Sequence, residues 1–138
     1  KLQLEKQKAP KLRFGSFEGG WEEKRLECVA VFLKGKGISK DDISENGKNK
    51  CIRYGELYTT YNEIIKDVKS RTDVPVCDSL LSVKNDLLVP SSGETALEIA
   101  TVSSVKDDNI LLGGDLNVIR LKEKQDSDFF AYYFFFFF

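Results

Sequence analysis

The sequence predicts a single α+β domain built on a curled sheet, with a mostly β core and short helices. The chain has 138 residues and a mass of 15.7 kDa, which is large enough for one hydrophobic core and too short for two comfortable ones. Its apolar stretches are short, and clusters of Gly, Ser, Asn and Asp separate them. This spacing is typical of several short strands joined by turns.

The first strong element lies at 29–33, where apolar side chains occupy both alternating faces. This pattern indicates a buried strand or a tight helix–strand join, and the glycines at 35–37 supply a turn after it. Residues 1–20 precede it as a basic lead-in arm. We expect three aromatic side chains to pin this arm onto the domain: Phe14, Phe17 and Trp21.

The rest of the chain alternates between loops and strands. Residues 39–50 are polar and predict a loop, with one helical turn capped by Ser39. Residues 58–76 give no clear assignment. Strands are expected in four short segments, at 51–57, 86–90, 97–105 and 117–121.

The C-terminal segment is unusual in composition. Nine of the 16 aromatic residues lie in the last ten positions. Asp126, Ser127 and Asp128 occupy capping positions, so a helix is expected to begin there. The five consecutive phenylalanines fit no amphipathic pattern and would promote aggregation if exposed. We therefore expect 129–138 to be the start of a helix that is truncated or aberrant, and the absence of Met adds to the expectation of a fragment.

The net charge of −1 conceals two opposite halves. Residues 1–71 carry 16 basic and 11 acidic side chains, a net of +5, whereas residues 72–138 carry 5 and 11, a net of −6. In the first half, cations are interleaved with hydroxyls and tyrosines, which are the side chains that contact phosphate and bases. A solvated charged face is the alternative. A near-neutral chain is unusual for a stand-alone DNA binder, so if the domain binds DNA we expect it to do so on one face and within an assembly.

Composition argues against a self-contained enzyme. The chain has no histidine, which removes the commonest general base and the usual nitrogen metal ligand, so no metal site is expected. The sequence contains one SxxK pattern, at 103–106. About one match is expected by chance in a chain with 11 Ser and 16 Lys, so the pattern does not indicate a catalytic dyad. The glycines at 35–37 lack the spacing of a phosphate loop. Acidic pairs at 41–42 and 107–108 stand in polar loops and are expected to be solvated.

Cysteine usage and hydropathy indicate the compartment. Cys28, Cys51 and Cys77 form no CxxC pair, and an odd count in a Cys-poor chain favours a reducing cytoplasm with ordinary buried thiols. There is no signal peptide, and no apolar run approaches the roughly 20 residues that span a bilayer. We expect a soluble, cytoplasmic protein with no membrane partner.

Motif order is the most specific signal in the sequence. Six short blocks stand in a fixed order ahead of FFAYY at 129–133, and each block alone is a weak signal. In chain order the blocks are PKLRF at 10–14, WEEKRL at 21–26, KGKG at 34–37, IRYGEL at 52–57, DLLVPSSG at 86–93 and GGDLN at 113–117. With these blocks, residues 10–133 resemble a target recognition domain from the specificity subunit of type I restriction–modification enzymes. Glu27 and Cys28 depart from the family's Gly and acid, no proline follows Phe14, and polyphenylalanine replaces a long spacer helix.

The resemblance implies a non-catalytic reader of double-stranded DNA. A full specificity subunit of this family holds two such domains apart on two antiparallel helices, and each domain reads one half of a split target. Its partners are methyltransferase subunits, which use S-adenosylmethionine, and motor-endonuclease subunits, which use ATP and Mg²⁺; no cofactor is expected on this chain. A second half-subunit copy is a further candidate partner. The chain would then be about one third of such a subunit.

The resulting domain scheme is a lead-in arm at 1–20, a DNA target recognition domain at 21–128 and a spacer-helix start at 129–138. Turn placement and side-chain chemistry predict the DNA contacts, which are Lys34, Lys36, Lys40, Arg53, Tyr54, Tyr58, Thr60, Tyr61, Ser91, Ser92 and Thr95. A purely structural alternative pairs Arg53 with Glu56 or another carboxylate. Two alternative functions remain, namely a protein-interaction module that docks through its acidic half, and the recognition part of a fused restriction–methylation enzyme.

Overall fold

The computed structural model describes residues 12–16, 18–122 and 125–137. Within these ranges the strands are β1 (Ala30–Lys34), β2 (Asn49–Ile52), β3 (Ile64–Ile65), β4 (Arg71–Thr72), β5 (Leu80–Leu81), β6 (Leu87–Pro90), β7 (Ser103–Val105), β8 (Leu111–Leu112) and β9 (Leu116–Leu121). The helices are α1 (Leu26–Val29), α2 (Glu56–Thr59), α3 (Ala96–Ile99) and α4 (Ser127–Phe137), with 3₁₀ turns at Lys40–Asp42 and Val76–Asp78. The predicted α+β class, with short helices and a mostly β core, is confirmed.

The strands form two mixed sheets. One has the order β1-β9-β6-β7-β3 and the other has the order β4-β2-β8-β5. The pairs β2–β8 and β3–β7 are parallel, and the remaining pairs are antiparallel. Because β1 pairs with β9 and β2 pairs with β8, the basic and acidic halves of the sequence interleave in both sheets. The two halves therefore do not form separate halves of the fold.

The main core joins the two sheets. Leu88 and Val118 from the five-stranded sheet pack in one cluster with Ile52 and Leu112 from the four-stranded sheet, and all four side chains are fully buried. Each such side chain contributes roughly 1.5–3 kcal/mol through burial. This cluster fixes the ends of the strands from which the loops described below emerge.

Helix α4 covers the other face of the five-stranded sheet. Successive strand residues point to opposite faces, so Leu87 and Ile119 lie opposite the main core and pack with the helix. The helix contributes Phe130, Ala131 and Phe134 to this cluster. Part of the aromatic segment is therefore packed against the domain, including Phe134, the first of the five consecutive phenylalanines.

The start of α4 is where the sequence predicts it. Asp126 Oδ1 accepts hydrogen bonds from the backbone N–H groups of Asp128 at 2.9 Å and Phe129 at 3.1 Å. This is the arrangement of an N-terminal cap, which satisfies amides that have no partner inside the helix. The predicted capping role of this segment is confirmed.

The element at 29–33 is a helix–strand join, as one of the two readings predicted. The buried-strand reading is wrong, because β1 lies at the edge of its sheet. Val31 and Phe32 are 46% and 56% exposed as a result. The helical turn predicted after Ser39 is present at Lys40–Asp42.

Two predicted strands are shorter than expected. The strand predicted at 51–57 ends at Ile52, because Glu56 accepts a hydrogen bond from the backbone N–H of Arg53 and begins α2. The strand predicted at 97–105 is replaced at its start by α3. A capping box between Thr95 and Glu98 favours that helical turn, and the strand is confined to β7.

Two expectations about individual side chains are corrected. Phe14 is 82% exposed and does not pin the lead-in arm, whereas Trp21 stacks on Phe129 with 6.3 Å between ring centroids. Phe17 lies outside the described residues. Cys51 is buried, but Cys28 and Cys77 are exposed. The prediction of three buried thiols is therefore wrong.

Candidate nucleic-acid interface

A groove of about 730 Å³ opens where three loops meet. The loops follow β1, β2 and β8, and their strands are held together by β2–β8 pairing and by the contacts of β1 with β9. Four of the predicted contact residues line the groove, namely Lys40, Arg53, Tyr54 and Tyr58. The fold therefore gathers side chains that are up to 18 positions apart in sequence onto one surface.

One wall of the groove is a close crossing of two backbone segments. Gly35 N–H donates to Leu116 O at 2.9 Å, and Gly114 N–H donates to Gly37 O at 2.7 Å. A Cβ at Gly35 would lie 2.0 Å from Gly113 O, so only glycine permits this approach. The segment that the sequence predicts as a simple turn is thus a packed crossing.

Ile38 carries backbone strain at this wall. Its φ of 54° lies in the left-handed region, which costs a branched residue roughly 1–2 kcal/mol. Its side chain is 6% exposed and packs with Cys51 and Leu111, and this burial offsets the strain. The conformation fixes the direction in which the chain continues to Lys40.

A capped turn then presents Lys40 at the groove. Ser39 donates hydrogen bonds from both its hydroxyl and its backbone N–H to Asp42 Oδ2, each at 2.7 Å. These bonds, the hydroxyl one first, hold the pKa of Asp42 below its ordinary value. Lys40 is exposed and forms no ion pair in the part of the chain that the structure describes.

Arg53 is held from below by Glu56. The Glu56 side chain is buried, its Oε2 accepts from Arg53 N–H at 2.8 Å, and its Oε1 accepts from the Ser70 hydroxyl. Arg53 Nε lies 3.8 Å from Glu56 Oε2, without a hydrogen bond. The structural alternative for Arg53 is therefore present as a loose ion pair, and the same side chain also lines the groove.

Two tyrosines form the next part of the groove surface. The rings of Tyr54 and Tyr58 meet edge to face, with 6.4 Å between centroids. Desolvation raises the pKa of the Tyr58 hydroxyl, and Tyr54, Glu98 and Glu94 raise it further. The hydroxyl is therefore protonated at neutral pH and can donate a hydrogen bond to a ligand.

The sequence matches, over residues 18–138, the model of a family described as the type I restriction modification DNA specificity domain. The match extends over most of the chain. The chain belongs to this family. The resemblance stated from motif order is confirmed, and DNA recognition is the class of function that this membership supports.

Solved structures show that the specificity domain shares its fold with longer proteins. The HsdS subunit from Thermoanaerobacter tengcongensis aligns with 92% of this chain and 29% of its own, at a TM-score of 0.61 and 12% identity. A type I R-M system studied for complex assembly and conformational transition aligns with 80% of this chain and 26% of its own, at 0.60 and 13%. The type I restriction-modification S subunit from M. genitalium aligns with 91% and 29%, at 0.55 and 19%.

The specificity domain spans less than a third of the length of each of these structures. At such low identities the likeness concerns the fold, and the family match carries the assignment. No curated protein matches the sequence.

Seven predicted contact residues of the specificity domain do not line the groove, and they are Lys34, Lys36, Thr60, Tyr61, Ser91, Ser92 and Thr95. All three of Lys34, Lys36 and Thr60 are exposed, Lys34 at the end of β1 and the other two on loops next to the groove. Tyr61 packs against the main core, and its hydroxyl accepts from Lys69 N–H at 3.0 Å. Contact with DNA at these positions stays a prediction.

The loop after β6 lies beside the groove. Ser91 N–H donates to Asp115 O at 2.8 Å, which connects this loop to the groove wall. The Thr95 hydroxyl accepts from Glu98 N–H at 3.2 Å and so caps α3. Ser92 is half-buried, and its contribution to binding also stays a prediction.

Sequence reasoning missed two acidic residues of the groove. Asp42 and Asp115 line it together with Lys40 and Arg53, so the surface offers acceptors as well as donors. Asp115 comes from the acidic half of the sequence, and β2–β8 pairing brings its turn to the groove. A turn signal at 113–115 was visible in the sequence, but nothing in the pattern placed that turn beside Arg53.

The described residues meet the requirements of neither a metal site nor a membrane-spanning helix. Within the described ranges, no three His, Cys, Asp or Glu side chains gather in an arrangement that could hold a metal ion. Among the same residues, no helix has the length and apolar character needed to cross a membrane.

Proposed function

We propose that this chain reads one half of a bipartite DNA target as part of a type I specificity subunit. The observation that carries the proposal is the groove, where Lys40, Arg53, Tyr54 and Tyr58 converge in a domain of a DNA specificity family. Each of these side chains is of a type that contacts nucleic acid.

The groove has the chemistry to combine positioning with readout. Lys40 is an exposed point charge with no ion-pair partner among the described residues, so it is suited to a phosphate, and tyrosine hydroxyls also donate to phosphates. The Arg53 guanidinium is suited to guanine O6 and N7, and a carboxylate such as Asp115 can accept from the amino group of cytosine. A surface with donors and acceptors can therefore distinguish base edges.

The proposed role is recognition without catalysis. Methyltransferase subunits carrying S-adenosylmethionine and motor-endonuclease subunits using ATP and Mg²⁺ would act on the bound DNA, and no cofactor is assigned to this chain. The net charge of −1 supports an assembly, because partner subunits would supply much of the phosphate contact. A second half-subunit copy would supply the other half of the reading surface.

Helix α4 is proposed to be the first part of a spacer helix, following a recognition domain at 21–128. Its exposed aromatic residues follow the i, i+3, i+4, i+7 spacing of one helix face, and they are Phe129, Tyr132, Tyr133 and Phe136. This face lies opposite the one that packs on the sheet. A helix with two apolar faces is suited to packing against the domain on one side and against another helix on the other.

Salt-dependent DNA binding by the full chain tests the proposal. Fluorescence anisotropy would measure its affinity for a labelled duplex with a randomised central block over a series of salt concentrations. We expect log K to fall linearly with log salt, and Lys40→Ala to reduce the slope by about one. Lys84→Ala is the matched control, because Lys84 is exposed and does not line the groove.

Two results would contradict the proposal, the first at the level of DNA binding and the second at the level of the groove. One is salt-independent association, which would favour the protein-interaction module. The other is an unchanged slope in Lys40→Ala, which would remove the groove from the binding surface. Selection of bound duplexes from the same randomised pool would then show whether any sequence preference exists.

A further inference from the structure

The inference concerns Glu56, a buried carboxylate beneath the groove. It is 6% exposed, and both of its oxygens are engaged, one by Arg53 N–H and the other by the Ser70 hydroxyl. A buried carboxylate costs free energy unless hydrogen bonds and a nearby cation compensate it. Here the nearby cation is the guanidinium of Arg53.

The contact engages only one side of that guanidinium. Arg53 Nε lies 3.8 Å from Glu56 Oε2 and is buried without a hydrogen bond. In the described part of the chain, the two terminal nitrogens of Arg53 form no hydrogen bond, and the closest approach of the guanidinium to a carboxylate is at Nε. The residue lines the groove, and its side chain is 27% exposed. The pair of nitrogens that binds a base edge is thus unengaged.

We propose that Glu56 is a positioning residue that makes Arg53 a reader of base edges instead of a phosphate clamp. The proposal rests on the DNA-binding function proposed above. Glu56 lowers the net charge that Arg53 presents to the phosphate backbone, and it limits the orientations of the planar group. A planar fork held in this way is suited to the paired acceptors O6 and N7 of guanine.

Lys40 provides the contrast within the same groove. It is exposed and has no ion-pair partner among the described residues, so its charge is available to phosphates. The groove therefore separates two tasks. Lys40 supplies salt-dependent affinity, and Arg53 supplies preference for one base pair.

Glu56→Gln tests the proposal, because it removes the charge while its amide oxygen can still accept from Arg53 N–H and its NH2 group can donate to the Ser70 hydroxyl oxygen. The full chain would be titrated with a labelled random-sequence duplex at several salt concentrations, and bound duplexes would be sequenced. We expect the slope of log K against log salt to become steeper by about one. We also expect the variant to lose base preference at the same single position as Arg53→Ala.

These readouts separate positioning from a structural role. A variant that only loosened the fold would bind all duplexes more weakly and would keep every base preference. Ser82→Ala is the stability control, since its buried hydroxyl donates to Asp107 O at 2.7 Å and accepts from Ile110 N–H at 3.0 Å, away from the groove. It should change neither the slope nor the preference.

Arg53→Ala and Lys40→Ala keep the proposal testable if Glu56→Gln does not fold. We expect Arg53→Ala to lose one base preference with a smaller change in slope than Lys40→Ala. An equal loss of slope with every preference retained would make Arg53 a phosphate clamp and overturn the proposal.

The result for the unaltered chain distinguishes failure of the proposed role of Glu56 from failure of the proposed DNA reading. If it selects a motif and Glu56→Gln keeps both slope and motif, the role of Glu56 is overturned and DNA reading stands. If the unaltered chain selects no motif and shows no salt dependence, DNA reading fails and the role of Glu56 fails with it.

Discussion

Arg120 and Asp86 form a two-pronged ion pair, and the same arginine also links the two sheets. Arg120 Nε donates to Asp86 Oδ1 at 2.9 Å and Nη2 donates to Oδ2 at 2.8 Å, while Nη2 also donates to Leu81 O at 3.0 Å. Asp86 is 1% exposed. The hydrogen bonds that Arg120 donates to Asp86, together with the Asp86 charge, raise the pKa of Arg120 although desolvation lowers it. Since Arg120 lies on β9 and Leu81 on β5, one side chain connects strands of both sheets.

Arg120→Ala should lower the free energy of unfolding by about 3 kcal/mol, because it leaves the Asp86 carboxylate buried and uncompensated. Urea denaturation followed by circular dichroism would measure the change. Arg25→Ala is the control, since its ion pair with Glu27 is exposed on both sides and should contribute about 0–1 kcal/mol. Equal decreases in the free energy of unfolding would show that the buried ion pair stabilises the fold no more than the exposed one.

Gly35→Ala should destabilise the protein by at least about 2–3 kcal/mol. The added Cβ would meet Gly113 O at 2.0 Å and Leu112 O at 2.8 Å, and backbone atoms cannot move aside as a flexible side chain would. Thermal unfolding measures the effect. The control is Gly15→Ala, because a Cβ at Gly15 has no atom within 4 Å. Similar melting temperatures for both variants would contradict the close crossing.

The sequence predicted the elements whose pattern is local. The run at 86–90 is central in its sheet and contains β6, and the run at 117–121 falls within the long strand β9, so a short apolar run next to a turn signal was sufficient to find both. Strands β3, β4, β5 and β8 have two residues each. A strand of that length is defined by its partner, and no periodicity can be seen in two residues.

The contrast between local sequence pattern and long-range strand pairing also explains which groove residues could be predicted. Lys40, Arg53 and the tyrosines were predicted from side-chain chemistry and from their position in turns. Asp115 was not, because its place beside Arg53 depends on the pairing of β2 with β8, about 60 positions apart in the chain. The role of Glu56 beneath Arg53 depends on burial, which its spacing of three residues does not reveal.

Thiol labelling should divide the three cysteines into two groups. Desolvation, followed by the charge of Glu56, raises the pKa of the Cys51 thiol to about 11, so the reactive thiolate is scarce at neutral pH. Cys28 and Cys77 are exposed. A chromogenic disulfide reagent should therefore modify two thiols quickly in the native protein and three in denaturant. Rapid modification of all three in the native state would contradict the burial of Cys51.

The docking of α4 should depend on pH through Asp128. Desolvation, the largest single effect, raises the pKa of Asp128, but the adjacent ammonium of Lys106 and the nearby hydroxyls of Ser104 and Ser127 lower it below the ordinary value on balance. A carboxyl whose folded pKa is lowered stabilises the fold above its unfolded pKa of about 3.9. That contribution is lost as pH falls through the folded pKa.

Asp128→Asn tests this dependence, because it removes the charge that faces Lys106. At about pH 7 the variant should unfold more easily by about 0.5–1 kcal/mol, a figure that allows for the partial exposure of Asp128, and the difference should narrow below about pH 4. Trp21 is the single tryptophan and stacks on Phe129, so its fluorescence reports the start of α4 during urea unfolding. Asp78→Asn, at an exposed carboxylate, should leave the pH profile of the unaltered protein unchanged. A difference between Asp128→Asn and the unaltered protein that persisted at low pH would mean that the interaction with Lys106 does not hold α4 in place.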